Sequence, residues 1–350
     1  MANFVYAGAA PWIAASREAP TGGLFRLDPE SGRWDKLAAG LPDNVEVRAI
    51  AMAPDNPRVL YVGTQHGPYR SGDAGDSWRP LPLPGKERTV WSILVADETT
   101  LYVGAQGTTI YRSRDGGGDW TELTPPAPLG MVRMSFPCRV IRLALDPTAP
   151  QHLYAALEVG GVLRSRDGGD SWSDGNAGLL EFTKEPRYRS RIVSDTETEG
   201  MMDSHALALS AAAPGSVFLA NRMGLFKSEN GGERWQDMSV GRFSPLTYAR
   251  DIKISRHDPR RMYAALSVAA VSDEGSLYVS DDVGASWRRF DHGVAMKSTL
   301  MIVAESPITP DRVWCATRRG QVFGTADGGK SWREYQLPDG VEGVYALAAT

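Results

Sequence analysis

At 350 residues, with a formal charge of −4 and a pI near 5.8, the chain lacks the basic balance that a nucleic-acid face needs, so no nucleic-acid partner is expected. No apolar run approaches a membrane span, and the opening MANFVYAGAAPWIAAS has no basic stretch ahead of an apolar core, so the expectation is a cytoplasmic protein with no membrane partner. Two cysteines, Cys138 and Cys315, are too few for a disulfide framework.

In chain order, 3–8 (NFVYAG), 23–27 (GLFRL) and 33–37 (RWDKL) read as three short strands that lack a fourth. A full pattern then sets in. Val47–Ala53, a PDNP turn, Val59–Thr64, Gly67–Asp73 and a strand from Ser77 form a four-strand meander, which we letter A to D. Between its C and D strands it carries SGDAGDSW (71–78), and the octet returns as SRDGGGDW (113–120), SRDGGDSW (165–172), SENGGERW (228–235), SDDVGASW (280–287) and TADGGKSW (325–332). A worn copy, LDPESGRW, occupies 27–34. The closing Trp residues recur at a little over forty residues in the regular copies, the length of one four-stranded propeller blade. Residues 344–350 (VYALAAT) are an A strand with nothing after it, which completes the N-terminal blade. The prediction is an all-β chain, 1–350 as a single domain, folded as a seven-bladed β-propeller and closed by its C-terminal strand.

The octet itself has tight-turn chemistry: the Ser hydroxyl and Asp carboxylate accept backbone N–H groups, Gly supplies a positive φ, and the Trp lands in the next strand. It resembles the BNR or Asp-box repeat of sialidases, sortilin-type receptors, xyloglucan hydrolases and a photosystem assembly factor. That resemblance implies a propeller whose boxes are structural, since seven copies cannot all be one active site. The sialidase FRIP motif has only FRLDP at 25–29 as a counterpart, and the chain holds one ring where xyloglucan hydrolases set two face to face.

Residues beyond the repeat concentrate in three insertions, 124–138, 173–204 and 268–274, which the meander places at the end opposite the boxes. Scaffolds carry function on long loops, so that face is the expected functional one, with 173–204 lying over the channel mouth as a lid or docking loop. The pair Met201–Met202 reads as an adaptable apolar surface there. The first A-strand position aligns Tyr345, Arg48, Trp91, Ile141, His205, Arg250 and Met301, with Arg142 and Asp251 one step on. The B-to-C turns align Gln65, Gln106, Glu158, Arg222, Ser267 and Arg318, with His66 and Arg319 beside them. Both sets are expected to ring the mouth.

Arg48, Arg250, Arg222 and Arg318, helped by Arg142, Gln65 and His66, are candidates to hold a carboxylate, sulfate or phosphate; the competing reading pairs them with acids as an internal ion-pair ring. His205, Glu158, Tyr188 and Asp251 are the catalytic candidates, with Asp203 beside them. Trp91, and with it Trp12, would pack against a substrate. No HxH or HExxH spacing supports a metal and no phosphate-cradling loop appears, so no cofactor is expected. These features point to an enzyme acting on a small anionic, carboxylate-bearing substrate by hydrolysis or elimination. The alternative is a non-enzymatic scaffold that meets a protein partner through its Arg-rich face.

Overall fold

Each octet closes into one hydrogen-bonded turn. In SRDGGDSW the Ser165 hydroxyl donates to Asp167 Oδ1 at 2.7 Å and accepts the Gly169 N–H at 2.8 Å, while Asp167 Oδ1 also accepts the Ser171 N–H at 2.8 Å. Gly168 and Gly169 both take positive φ (71° and 96°), the backbone of a tight hairpin reversal. The Gly168 N–H reaches the Gln151 carbonyl at 2.8 Å and so pins the turn to the A-to-B connection of its own blade. The worn copy keeps the logic: Asp28 accepts the Glu30 N–H and the Ser31 hydroxyl, and Gly32 sits at φ 74°.

The computed structural model describes residues 3–11, 22–338 and 340–350; Trp12 lies outside them. Seven antiparallel four-stranded sheets surround an axis, almost without helix, as an all-β seven-bladed propeller. The A strands line the channel: Val47–Ala53, Val90–Val95, Arg139–Asp146, Ser204–Leu209, Tyr248–Ile254, Leu300–Glu305 and Val344–Ala349. The last pairs with Val5–Ala9 in antiparallel register, Val5 opposite Ala349, and completes the N-terminal blade. Phe4 and Thr350 lock the seam, the Phe4 N–H donating to Thr350 Oγ1 at 2.7 Å and the Thr350 N–H to the Phe4 carbonyl at 2.9 Å.

Neighbouring blades meet through small residues on the B strands. A Cβ on Gly8 would stand 2.7 Å from Val47 Cγ1, and one on Gly104 would stand 2.6 Å from Val140 Cγ1, so each glycine admits the valine of the next A strand. Strand limits differ slightly from the sequence reading. The second blade's C strand ends at Ser71, whose hydroxyl already belongs to the turn, and its D strand is only Arg79–Pro80. Trp78 therefore precedes the ladder rather than entering it, because its Nε1–H is tied back to the Gly75 carbonyl at 3.1 Å.

The insertion 173–204 folds as two short helices, Ala177–Phe182 and Glu199–Met202, around a single 3-10 turn at Pro186–Tyr188. Its apolar side chains share a core with the fifth blade: Leu179, Met201 and Met202 are fully buried there. The methionine pair is thus core, not the adaptable surface expected of it, because the helix that carries it packs against Leu219 and Phe226 rather than facing the channel.

Candidate functional site

The first A-strand position is a β-bulge in every blade. The ladder skips Arg48, Trp91, Ile141, His205, Arg250, Met301 and Tyr345, each standing as the extra residue between two registered pairs. A bulge bends the strand and re-aims its side chain, a device found at barrel rims and beside active sites. In two blades the residue two places earlier stands against it: Glu46 pairs with Arg48 at 2.6 Å, and Asp203 lies 3.3 Å from His205.

Between the insertions and this ring lies a cavity of about 410 Å³, within the range of small-molecule sites. One wall is aromatic. Trp91 and Tyr345 meet edge to face at 5.7 Å, the Arg48 and Arg139 guanidinium carbons lie 4.8 Å and 4.4 Å from the centre of the Trp91 ring, and Arg139 also covers Phe136 at 4.2 Å. Met134, Val159, Ile192, Val193 and Val271 supply apolar surface. The Glu199 carboxylate shapes the rim from below by accepting the N–H groups of Ile192, Val193 and Ser194.

Two carboxylates reach this cavity under opposite constraints. Glu158 ends the fourth blade's B strand (Ala149–Glu158), directly opposite Arg139 in the ladder, and its Oε2 accepts Arg139 Nη1 at 2.6 Å. Burial, reinforced by the negative Asp203 nearby, pushes its carboxyl above the ordinary range despite Arg139. Asp203 caps the Glu199–Met202 helix; its Oδ2 accepts Arg222 Nε at 2.9 Å and stands 3.3 Å from His205 Nε2. Burial works against its charge, yet His205, Arg222 and Arg250 outweigh it and hold the carboxyl down to about 2. His205 is itself fixed, with Nδ1 2.7 Å from the Ala249 carbonyl and the Tyr248 hydroxyl 3.3 Å from Nε2; burial lowers the pKa of the ring, with Arg250 adding to this and Asp203 opposing it.

Among the described residues, Arg48, Arg139, Arg142 and Arg222 each have a carboxylate within 4 Å. No such carboxylate stands beside Arg250, which also lines the cavity and whose neighbours are the Tyr248 and Tyr345 phenols, with Asp203 and Glu158 acting from farther off. Most of the expected arginine clamp is therefore an ion-pair ring. Desolvation explains this most directly at Arg48 and Arg139, 9% and 7% exposed, where an unpaired guanidinium costs more than one held by an acid.

The structure brings Trp91, Glu158, Asp203, Arg222 and Arg250 together at the cavity and places the other candidates elsewhere. Arg48 backs the Trp91 wall, and His205 stands behind Asp203. Asp251 is consumed by Arg142 Nη2 at 2.9 Å and the Val303 N–H at 3.0 Å, a clasp that joins blades four, six and seven. Tyr188 bonds Asp237 at 2.8 Å and opens on an outer cleft. Gln65 ties its turn to the preceding loop through the Glu46 N–H and the Asn44 carbonyl, and His66 meets Glu87 at 3.0 Å outside the channel. Arg318 is buried and does not line the cavity. Sequence reasoning did not select Arg139 or Phe136. Arg139 was legible two places before the bulge position, where the aligned residues Glu46, Thr89, Arg139, Asp203, Tyr248 and Thr299 form a second polar row. Phe136 sits in an insertion with no repeat partner, so alignment gave no signal.

No protein-family profile matches the chain. Among curated proteins it is similar to the xyloglucanase Xgh74A of Acetivibrio thermocellus, 26% identical over 144 residues covering 32% of this chain and 17% of that one. It is also 29% identical over 191 residues to a Paenibacillus xyloglucanase, covering 43% and 19% respectively. A probable oligoxyloglucan-reducing end-specific xyloglucanase of Neosartorya fischeri is 23% identical over 258 residues, covering 67% of this chain and 28% of that protein. The chain thus spans less than a third of the length of these relatives. Of solved structures, the GH74 xyloglucanase from Xanthomonas campestris superposes with a TM-score of 0.62 at 19% identity, over 88% of this chain and 47% of that one. YCF48 from Cyanidioschyzon merolae gives 0.59 at 16%, over 87% and 88%, and a YCF48 bound to a D1 peptide gives 0.56 at 15%, over 84% and 82%. At such identities the likeness carries the fold, a seven-bladed β-propeller.

Proposed function

We propose that the chain is a hydrolase that cleaves a glycosidic bond in the channel-mouth cavity, on a substrate bearing a carboxylate. The observation that carries this is the opposed pair Glu158 and Asp203. Each spends one oxygen on an arginine, Oε2 on Arg139 and Oδ2 on Arg222, while burial keeps Glu158 inclined to hold its proton and cations keep Asp203 ionised. Two carboxyl groups driven apart in this way supply a general acid and a base or nucleophile. Trp91 and Tyr345 line one wall of the cavity, and Arg250, with no carboxylate at its guanidinium, suits an acidic substituent. The repeated turns we assign to the Asp-box class on their shared Ser–Asp–Gly hydrogen bonds. The names of the curated relatives favour a glycoside hydrolase.

The test is turnover of a panel of neutral and uronic-acid-containing oligosaccharides. Glu158→Gln and Asp203→Asn are expected to lose about 10²- to 10⁴-fold in kcat. Arg250→Gln is expected to raise KM for the acidic substrates alone. Equal turnover by all three variants would sink the assignment. A second reading, a protein-binding scaffold, is favoured by one specific observation: Leu129, Met131, Val193, Val268 and Val271 are exposed, and all five belong to the three insertions around the mouth. Absence of turnover together with capture of a peptide that Val193→Asp and Val271→Asp abolish would favour the scaffold.

A further inference from the structure

At the opposite end of the channel, the A strands of blades three to six surround a second cavity of about 420 Å³. Most of its lining is aliphatic, with Leu94, Leu145, Leu207, Leu209 and Ile254 among it, and Arg142 and Asp146 are its charged members besides one lysine. One lining residue carries a primary amine, Lys253, on the sixth blade's A strand (Tyr248–Ile254).

The surroundings are wrong for an ammonium ion. Its Nζ donates to the Val303 carbonyl at 2.8 Å, and among the described residues no carboxylate lies within 4 Å of it. The two nearby acids are spent elsewhere. Asp251 gives its oxygens to Arg142 and the Val303 N–H, and Glu305 accepts the Ser255 hydroxyl at 2.7 Å, the Arg256 N–H at 2.7 Å and the Tyr263 hydroxyl at 3.4 Å. Arg142 and Arg256 add positive charge on either side. Burial first, and these two guanidinium groups next, outweigh Asp251 and Glu305 and bring the amine down to about 8. A sizeable share of the molecules then carries a neutral nitrogen lone pair near pH 7.5, which a surface lysine near 10.4 does not.

We propose that Lys253 is a carbonyl-reactive amine and that the aliphatic cavity around it receives small alkyl aldehydes. The Nζ lone pair attacks the carbonyl carbon, and the carbonyl oxygen takes up a proton to give a carbinolamine. That hydroxyl leaves as water with the remaining amine proton as the C=N bond forms, so nothing is oxidised or reduced. The alkyl tail displaces water from the leucine walls, which is the source of selectivity. This site is independent of the channel-mouth cavity and of the reaction assigned there.

The experiment incubates the intact protein with butanal and cyanoborohydride at pH 7.5 and maps the N-butyl mark over all lysines. Lys253 is expected to be labelled at least tenfold faster than each of the other six (36, 86, 184, 227, 297 and 330), with the advantage shrinking as pH approaches 10. Lys253→Arg, which keeps a donor for the Val303 carbonyl, removes the fast phase while leaving the melting temperature within a few degrees. Should that variant fail to fold, the wild-type protein still decides the matter through glycolaldehyde, a neutral aldehyde without an alkyl tail to bury. Butanal is expected to label Lys253 at least tenfold faster than glycolaldehyde does, after correction for their rates on a free amine. Labelling of Lys253 no faster than that of the surface lysines, or no preference for butanal over glycolaldehyde, overturns the proposal.

Discussion

Glu158 and Asp203 illustrate how one cavity drives two carboxyl groups toward opposite protonation, on which the proposed acid and base roles rest. With Glu158 as acid and Asp203 as base, the active window opens above about 2, where Asp203 ionises, and closes on the alkaline side as Glu158 loses its proton above the ordinary carboxylate range. The pH profile of kcat/KM is therefore expected to keep an alkaline limb in the wild type and to lose it in Glu158→Gln. A limb that persists unchanged in that variant removes Glu158 from the acid role. Backbone strain is another property of individual residues. Val283 occupies φ 58° in the turn of blade six, a left-handed conformation hostile to a β-branched side chain, where four sister turns have Gly116, Gly168, Gly231 and Gly328. Val283→Gly is expected to stabilise the protein by about 0.5–1 kcal/mol in urea unfolding, the relief of backbone strain outweighing the lost partial burial.

At the level of elements, the recurring turn makes acid stability a property of the repeat. The Asp167 carboxyl is held down to about 2 by hydrogen bonds from the Ser171 side chain and backbone and from Ser165, against 3.8 for a free side chain. A group depressed on folding contributes stability that is complete above its unfolded value and lost as pH falls through the folded one, so the window is roughly pH 4 to 2. Blade five already contains the control: Asn230 accepts the Ser228 hydroxyl at 3.0 Å and the Arg234 N–H at 2.9 Å without titrating. Asp167→Asn is thus expected to fold at pH 7 and to lose less stability than the wild type between pH 4 and pH 2, as read from urea midpoints at both ends. Turns of this kind were fully legible in the sequence, because Ser, Asp and Gly act locally and repeat. The bulge ring was legible as an aligned column, though not as a set of bulges, since a skipped ladder position leaves no compositional mark. Arg48, Arg142 and Arg222 could not be told from free anion binders: Glu46 and Asp203 fall in an aligned row whose side-chain contacts the sequence does not mark, and Asp251 reaches Arg142 from another blade.

For the whole molecule, closure is what converts seven marginal sheets into one cooperative body. The strand Val344–Ala349 supplies Val344, Leu347 and Ala349 to a core that also holds Val5, Phe25, Trp314 and Val322, so it joins the last full blade to the first. It also brings Tyr345 to the cavity wall, which couples ring closure to the site. Removing residues 344–350 deletes the pairing with Val5–Ala9 and the Phe4–Thr350 lock, and it leaves the inner edge of that blade open to other chains. The truncated protein is expected to lose its single sharp thermal transition and to elute as oligomers. Loss of Leu347 alone, through Leu347→Ala, should cost about 2–4 kcal/mol in a ring that still closes. Adding the heptapeptide VYALAAT to the truncated protein distinguishes specific closure from general destabilisation: a ligand that binds only the folded ring raises the melting temperature with concentration, by about 2.7 kcal/mol at a hundredfold excess over its dissociation constant. A scrambled peptide should not. If the truncated chain instead melts as a monomer within a few degrees of the full one, the strand is an accessory to a ring held shut by the contacts between its remaining blades.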